Sequence, residues 1–267
     1  MRSDCIHYCW FGGGPLTEVA ERTILSWAEY APRFEIRRWD EGNFDVSAYA
    51  WTRDAYAAGK YAFVSDYARL KILYEYGGVY MDVGSELIRD ISDLVAESTP
   101  FVAMEEMTLT ATPGLIASVG SGDDLIGAVL DAYERLEFSS DPSYLAKHTI
   151  NQMFTRELES RGFVRKDCLQ RVGDWTILPS VTFDPVFGFG GYHVKKETYS
   201  IHRSSSSWAE PKFQIKREFQ DKWTPLIGRR FAQICGRILG EIRSDGFFGG
   251  VRNLAGVALS VVKRRMN

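Results

Sequence analysis

What most constrains this chain is the alternation of short apolar runs with helical patterns near its N-terminus. Ile6 to Trp10 is a short apolar run that ends at Gly12-Gly13-Gly14-Pro15, a tight glycine loop. Leu16 to Tyr30 then places Val19, Ile24 and Trp27 near helical spacing. Phe34 to Trp39 alternates as a strand and runs into the turn chemistry of Asp40 to Asn43. Strand, helix and strand in this order predict an α/β sheet with parallel strands. In such sheets ligands sit beyond the carboxyl ends of the strands, so the residues just after each apolar run are the first candidates for a site.

The stretch Tyr61 to Ile88 repeats the logic. Asp66 to Tyr76 fits a helix with Tyr67, Leu70, Leu73 and Tyr74 on one side, and Asp66 in its first turn suits the helix dipole. Gly77-Gly78 stops it, Val79-Tyr80-Met81 is a short strand, and Asp82 stands at its carboxyl end. A phosphate-bound Mg²⁺ or Mn²⁺ needs hard oxygen ligands, and Asp82 with Glu86 could supply them. An aspartate capping the next turn is the alternative. Where a second carboxylate would complete Asp-x-Asp stands Gly84.

Further along, Pro100 to Met104, Thr176 to Pro179 and Tyr199 to His202 read as strands, and Asp123 to Leu136 and Tyr144 to Glu159 as helices. Asp66 and Arg69 lie three apart, so both can face one side of their helix, either as a salt bridge or to hold ribose and phosphate. Trp10, beside its glycine loop, is either a core residue or a stacking surface for a nucleobase. His202 could ligate a metal as neutral imidazole, and Trp208, which closes the serine run Ser204 to Ser207, could donate Nε1–H to a phosphate oxygen. Glu105-Glu106 and Asn151-Gln152 are candidates to orient sugar hydroxyls, against ordinary exposed polarity.

Length and composition bound the rest. The 267 residues suit one large or two small domains, and 45% hydrophobic with 25% charged residues match an ordinary globular protein. Net charge is −3 overall, yet residues 216–267 hold 11 Lys+Arg against 4 Asp+Glu, a net of +7 that leaves −10 on the remainder. Leu226, Ile227, Phe231, Ile234, Ile238 and Leu239 recur there near helical spacing. We therefore expect a catalytic domain over 1–212 and a basic amphipathic helical segment over 213–267. The segment suits an anionic membrane surface or packing on the catalytic domain; no motif beyond charge favours nucleic acid, and none is expected as a partner. Cys5, Cys9, Cys168 and Cys235 lack the pairing of a zinc site and read as reduced thiols of a cytoplasmic protein. No leader peptide is visible and no window approaches about 20 uninterrupted apolar residues, so no membrane span is expected.

Taken together these pieces resemble glycosyltransferase family 32, with its DXD sugar-binding region. The resemblance rests on Ile6-His7-Tyr8-Cys9-Trp10-Phe11-Gly12-Gly13, on Trp39-Asp40-Glu41-Gly42-Asn43-Phe44-Asp45, and on Phe63-Val64-Ser65-Asp66-Tyr67-Ala68-Arg69. It continues through Tyr76-Gly77-Gly78-Val79-Tyr80-Met81-Asp82 and Tyr199-Ser200-Ile201-His202 to Ser207-Trp208. The clostridial glucosylating toxins are more distantly similar. The resemblance implies a GT-A fold: a mixed, mainly parallel sheet flanked by helices that binds a nucleotide-sugar. It implies Trp10 stacking on the base, Asp66 and Arg69 holding the nucleoside, and Tyr80 and Ser207 at the donor. Asp82, Glu105 and Trp208 fall in the catalytic roles, and Asp82, Glu86 and His202 would hold Mn²⁺ or Mg²⁺. The implied activity is a retaining transfer of a sugar, UDP-sugar preferred, to a glycan or lipid-linked oligosaccharide. That activity belongs to surface polysaccharide synthesis, in the cytoplasm or at the inner face of the cell membrane. A nucleotide-sugar- or carbohydrate-binding protein with weak or no transfer is the alternative. Gly84 is the departure from the family pattern.

Overall fold

The computed structural model describes residues 4–97, 99–105, 108–113, 116–185 and 194–203, together with 215, 219, 222, 223, 226, 234–240, 242 and 243. The first apolar run forms β1 (Cys5–Cys9), with all five residues buried. The glycine loop leads into α1 (Glu18–Tyr30), whose first turn is capped by Thr17: its hydroxyl accepts from the Ala20 amide, and Glu18 and Glu21 face the positive end of the dipole. β2 (Glu35–Trp39) pairs parallel with β1 from Cys5↔Glu35 to Cys9↔Trp39. The chain continues through α2 (Ala50–Ala57) and α3 (Tyr61–Tyr76) to β3 (Gly78–Met81), which pairs parallel with the other side of β1.

Helix α3 starts five residues earlier than the pattern around Asp66 predicts, so Asp66 stands in its second turn and not at its dipole end. Its stop is as expected and has a steric cause. Gly77 adopts φ +63°, and a Cβ there would come 2.8 Å from the Ser121 amide nitrogen and 3.0 Å from the Val119 carbonyl oxygen. Only glycine fits so close to backbone.

After β3 come β4 (Ser85–Leu87), α4 (Ser92–Ala96), β5 (Phe101–Glu105), β6 (Thr110–Ala111), β7 (Ile116–Val119) and α5 (Asp124–Glu134). The chain goes on through α6 (Pro142–Lys147), α7 (Ile150–Ser160), β8 (Gln170–Val172), β9 (Trp175–Leu178) and β10 (Ser200–His202). The main sheet runs β2-β1-β3-β7-β5-β9-β8, with β6 on β5. It is mixed: β2, β1, β3, β5 and β9 point one way, while β6, β7 and β8 oppose them. β4 and β10 form a separate antiparallel pair. The single helix expected over Tyr144 to Glu159 is two helices. His148 ends α6, and Thr149 starts α7 by accepting from the Gln152 amide at 3.4 Å.

The alternation of β3 divides the interior. Val79 and Met81 pack with Ile6, Tyr8 and Trp27 of β1 and α1, whereas Tyr80 joins Trp51, Tyr67 and Tyr133 on the opposite face. His7, fully buried on β1, ties the parallel strands together. Its Nε2 lies 3.1 Å from the Gly77 carbonyl oxygen, and its Nδ1 accepts from Trp39 Nε1 at 3.1 Å. Burial lowers its pKa to about 4, so it is neutral at physiological pH. The chain divides into two compact units, Met1–Pro185 with Val194–Arg203, and Val186–His193 with Ser204–Asn267; the described residues of the second beyond 203 are helical. No helix of the described residues is long and apolar enough to cross a membrane.

Candidate active site

The parallel direction of β2, β1, β3 and β5 brings their carboxyl ends to one edge of the sheet. Trp10 comes directly after β1, Asp40 and Glu41 after β2 and Asp82 after β3, and Glu105 ends β5. Trp10 is half-buried, its backbone amide donating to the Trp39 carbonyl at 2.8 Å and its indole Nε1–H to the Gly14 carbonyl at 2.9 Å. The loop beneath is clamped. The Gly12 amide donates to Glu41 Oε1 at 2.6 Å, and Gly12, at φ +98°, lies so close to the Tyr61 ring that a Cβ would come within 2.6 Å of it. Local sequence pattern does not single out Glu41, because its partner is 29 residues away.

Asp66, Arg69 and Tyr80 form a buried cluster beside Asp82. Arg69 Nη2 lies 3.1 Å from Asp66 Oδ1, and the other carboxylate oxygen accepts from the Ile150 amide at 3.2 Å, at the first turn of α7. Arg69 Nε donates to the Ser65 carbonyl, and the guanidinium sits 4.7 Å from the centre of the Tyr80 ring. Burial raises the Asp66 pKa to about 6 even though Arg69 and the Ile150 amide oppose it, so the carboxylate is ionised at neutral pH. Each Asp66 oxygen keeps a lone pair beyond the bond it makes here. Tyr80 is fully buried, with its ring face taken by Arg69 and its hydroxyl beside the Cys9 thiol. It therefore supports the arginine and offers no surface to a donor, contrary to the expectation that it lines the donor site. Burial pushes the Cys9 thiol up to about 12, so it stays protonated.

Glu105 and Asn151 are brought together. Glu105 Oε2 accepts from Thr108 Oγ1 at 2.9 Å and from Asn151 Nδ2 at 3.4 Å, while Asn151 Oδ1 accepts from Thr112 Oγ1 at 2.6 Å. The Ile150 amide that bonds Asp66 is one residue from Asn151, so a single helix start links the two clusters. Glu106, Ser207 and Trp208 lie outside the described residues.

The expected metal trio is not assembled. Glu86 Oε2 is 2.7 Å from Arg203 Nε and 3.3 Å from Arg22 Nη2, so its charge is already met by two guanidinium groups. His202 Nδ1 lies 3.3 Å from Ser85 Oγ, and its ring stands against Gly84: a Cβ at Gly84 would come 3.1 Å from His202 Cε1 and 3.4 Å from Nδ1. Among the described residues no group of three His, Cys, Asp or Glu side chains converges as metal ligands do. Asp82 remains as a carboxylate at the strand end. Glycosyltransferases of the DXD type generally use a divalent ion, and among the described residues Asp82, Glu86 and His202 do not form the shell that the motif leads one to expect.

Residues 17–101 match the family model of the glycosyltransferase sugar-binding region containing DXD motif. The match covers α1 to the start of β5 and so includes Asp66, Arg69, Asp82 and Glu86. No curated protein matches the sequence. Among solved structures, the PaToxG glycosyltransferase is similar over 60% of this chain and 68% of its own, at 18% identity and a TM-score of 0.47. A glycosyltransferase involved in glycosylation of the major capsid of PBCV-1 is similar over 84% and 100%, at 13% identity and a TM-score of 0.41. The galactosyltransferase LgtC, solved with donor and acceptor sugar analogs, is similar over 69% and 74%, at 13% identity and a TM-score of 0.38. Over residues 17–101, then, the chain is similar to the DXD-type sugar-binding region of glycosyltransferases.

Proposed function

We propose that this protein is a glycosyltransferase that moves a sugar from a nucleotide-sugar, UDP-sugar first, to a hydroxyl of a glycan or lipid-linked oligosaccharide, with retention of configuration. One observation carries the reading: Trp10, the Asp66–Arg69 pair and Asp82 gather at the carboxyl ends of the adjacent parallel strands β1 and β3. Trp10 supplies an aromatic face for the base. Asp66, ionised at neutral pH, accepts from ribose hydroxyls, and Asp82 accepts from hydroxyls nearer the reacting carbon. Glu105 and Asn151, joined on the same edge, orient hydroxyls of donor or acceptor. In the reaction the bond between the anomeric carbon and the phosphate oxygen breaks, and its electron pair stays on the diphosphate. The acceptor oxygen bonds to the same face of that carbon, and the acceptor proton passes to the departing phosphate oxygen.

Role in surface polysaccharide synthesis, and residence at the inner face of the membrane through the basic residues 213–267, are part of the same proposal. They are supported by the net +7 of residues 216–267. Changing Lys263, Arg264 and Arg265 to Glu in the full chain is expected to abolish flotation with anionic liposomes; unchanged flotation rejects that placement. The transfer itself is tested by mass spectrometry of a panel of UDP- and GDP-sugars. Turnover of at least one, falling about a hundredfold in Asp82→Ala, is expected. No turnover of any sugar, with wild type equal to Asp82→Ala, rejects it.

A further inference from the structure

By its own sequence the loop after Trp10 should be loose. Gly12, Gly13 and Gly14 follow one another, and glycine loses more backbone freedom on being fixed than any other residue. The fold nevertheless closes a ring of four residues around Gly12. Glu41, on the turn after β2, accepts from the Gly12 amide at 2.6 Å. The Tyr56 hydroxyl, from α2, donates to the same carboxylate. The Tyr56 ring lies 5.2 Å from the ring of Tyr61, the first residue of α3, and the Tyr61 ring covers Gly12.

The turn that bears Glu41 is itself pinned. The Asp40 amide donates to Asn43 Oδ1 and the Gly42 amide to Asp40 Oδ1, each at 2.9 Å, and Asn43 Nδ2 donates to the Arg38 carbonyl at 2.8 Å. Buried Phe44, next along, packs edge-on against buried Phe11, with ring centres 5.8 Å apart. The two loops are thus joined by an apolar contact as well as by a charged one. Burial opposes the charge on Glu41, but the Gly12 amide, its own amide and the Tyr56 hydroxyl outweigh it and hold the pKa below the usual carboxylate range. The acceptor is therefore a carboxylate at neutral pH, and the bond to Gly12 is charge-assisted. The Trp10 indole depends on the same loop, because its Nε1–H donates to the Gly14 carbonyl, two residues past the clamped amide. The orientation of the ring follows the conformation of the loop.

We propose that Glu41 is a positioning residue for nucleobase binding: it holds the glycine loop, and through Gly14 the Trp10 indole, in the orientation that receives the base. Glu41 acts through Trp10 and needs no contact with the nucleotide. Its effect is preorganisation, since a loop ordered beforehand does not lose its freedom when the ligand arrives. The inference rests on the nucleotide-sugar reading of the site, in which Trp10 stacks on the base.

The test is calorimetry on the full chain in MnCl₂, with UDP as the probe, or GDP where only GDP binds. Glu41→Ala should weaken binding about tenfold, the worth of one charge-assisted hydrogen bond, with an unaltered melting temperature. Glu41→Gln keeps an acceptor for the Gly12 amide and should stay within about threefold of wild type. Tyr56→Phe removes one hydroxyl, keeps the ring contact with Tyr61, and should lose about threefold. The decisive arm is the Trp10→Ala background, where adding Glu41→Ala should cost less than about twofold more, because the residue it positions is gone. Wild-type affinity in Glu41→Ala or in Trp10→Ala overturns the inference. So does a loss that Glu41→Gln shares in full, or one that is as large without Trp10 as with it. Each of these outcomes leaves the nucleotide-sugar reading standing. Failure of the wild type to bind either UDP or GDP defeats both.

Discussion

Two arginine–carboxylate clusters flank the motif, and they differ in everything except their chemistry. Asp66 and Arg69 are sealed between α3, α7 and the parallel strands, with side chains 12% and 5% exposed. Glu86 of β4 meets Arg22 of α1 and Arg203 just past β10, and water reaches each of them. Burial makes the first cluster costly to disturb, because removing either partner leaves the other in the interior without its counter-charge. Exposure makes the second energetically slight, because water and salt replace what is lost. The Asp66–Arg69 pair is therefore held in the interior, and the charges around Glu86 are left partly to water.

Arg69→Ala should break the comparison most sharply. It leaves Asp66 buried without its cation and is expected to cost about 3–5 kcal/mol in urea denaturation. A loss below about 1 kcal/mol would mean that the two clusters are energetically alike. The pH dependence comes next. The folded protein holds the Asp66 proton more tightly than the unfolded chain, whose value is near 3.8. This contribution is therefore fully present below about pH 4 and is lost as pH rises through about 6, on the order of 2–3 kcal/mol in all. Denaturation curves across that window should show the decline in wild type and lack it in Asp66→Asn.

Two further substitutions sharpen the same contrast. Gly77→Ala meets backbone atoms at 2.8 and 3.0 Å and adopts a left-handed φ, so a loss of about 2 kcal/mol in melting experiments is expected. Glu86→Gln, at the exposed cluster, should change stability by less than about 1 kcal/mol under the same conditions. A larger loss would show that the β4–β10 pair is held by its charges.

Much of this arrangement is legible from local pattern. The strands that end at Cys9, Trp39 and Met81, the helix stop at Gly77 and the i, i+3 pairing of Asp66 with Arg69 all depend on neighbours in sequence. The break between α6 and α7 escapes that pattern because apolar spacing runs through it, while Thr149 restarts the helix by a side-chain bond. The short β4 and β7, with three and four residues, carry too few positions for a period to show. Glu86 reads as a metal ligand in sequence because its two neutralising arginines lie 64 residues before it and 117 after it.

By itself, then, the sequence determined the α/β class, the strand ends that bear Trp10 and Asp82, and the similarity to the DXD region. These come from periodicity, turn chemistry and motif spacing, all of which act over a few residues. Tertiary structure decided what each carboxylate does. Asp66 is shared between Arg69 and the start of α7, Glu86 is claimed by Arg22 and Arg203, and Asp82 is left at the strand end. Charge and solvation depend on what lies within a few ångströms in space, and only the folded chain brings those partners together.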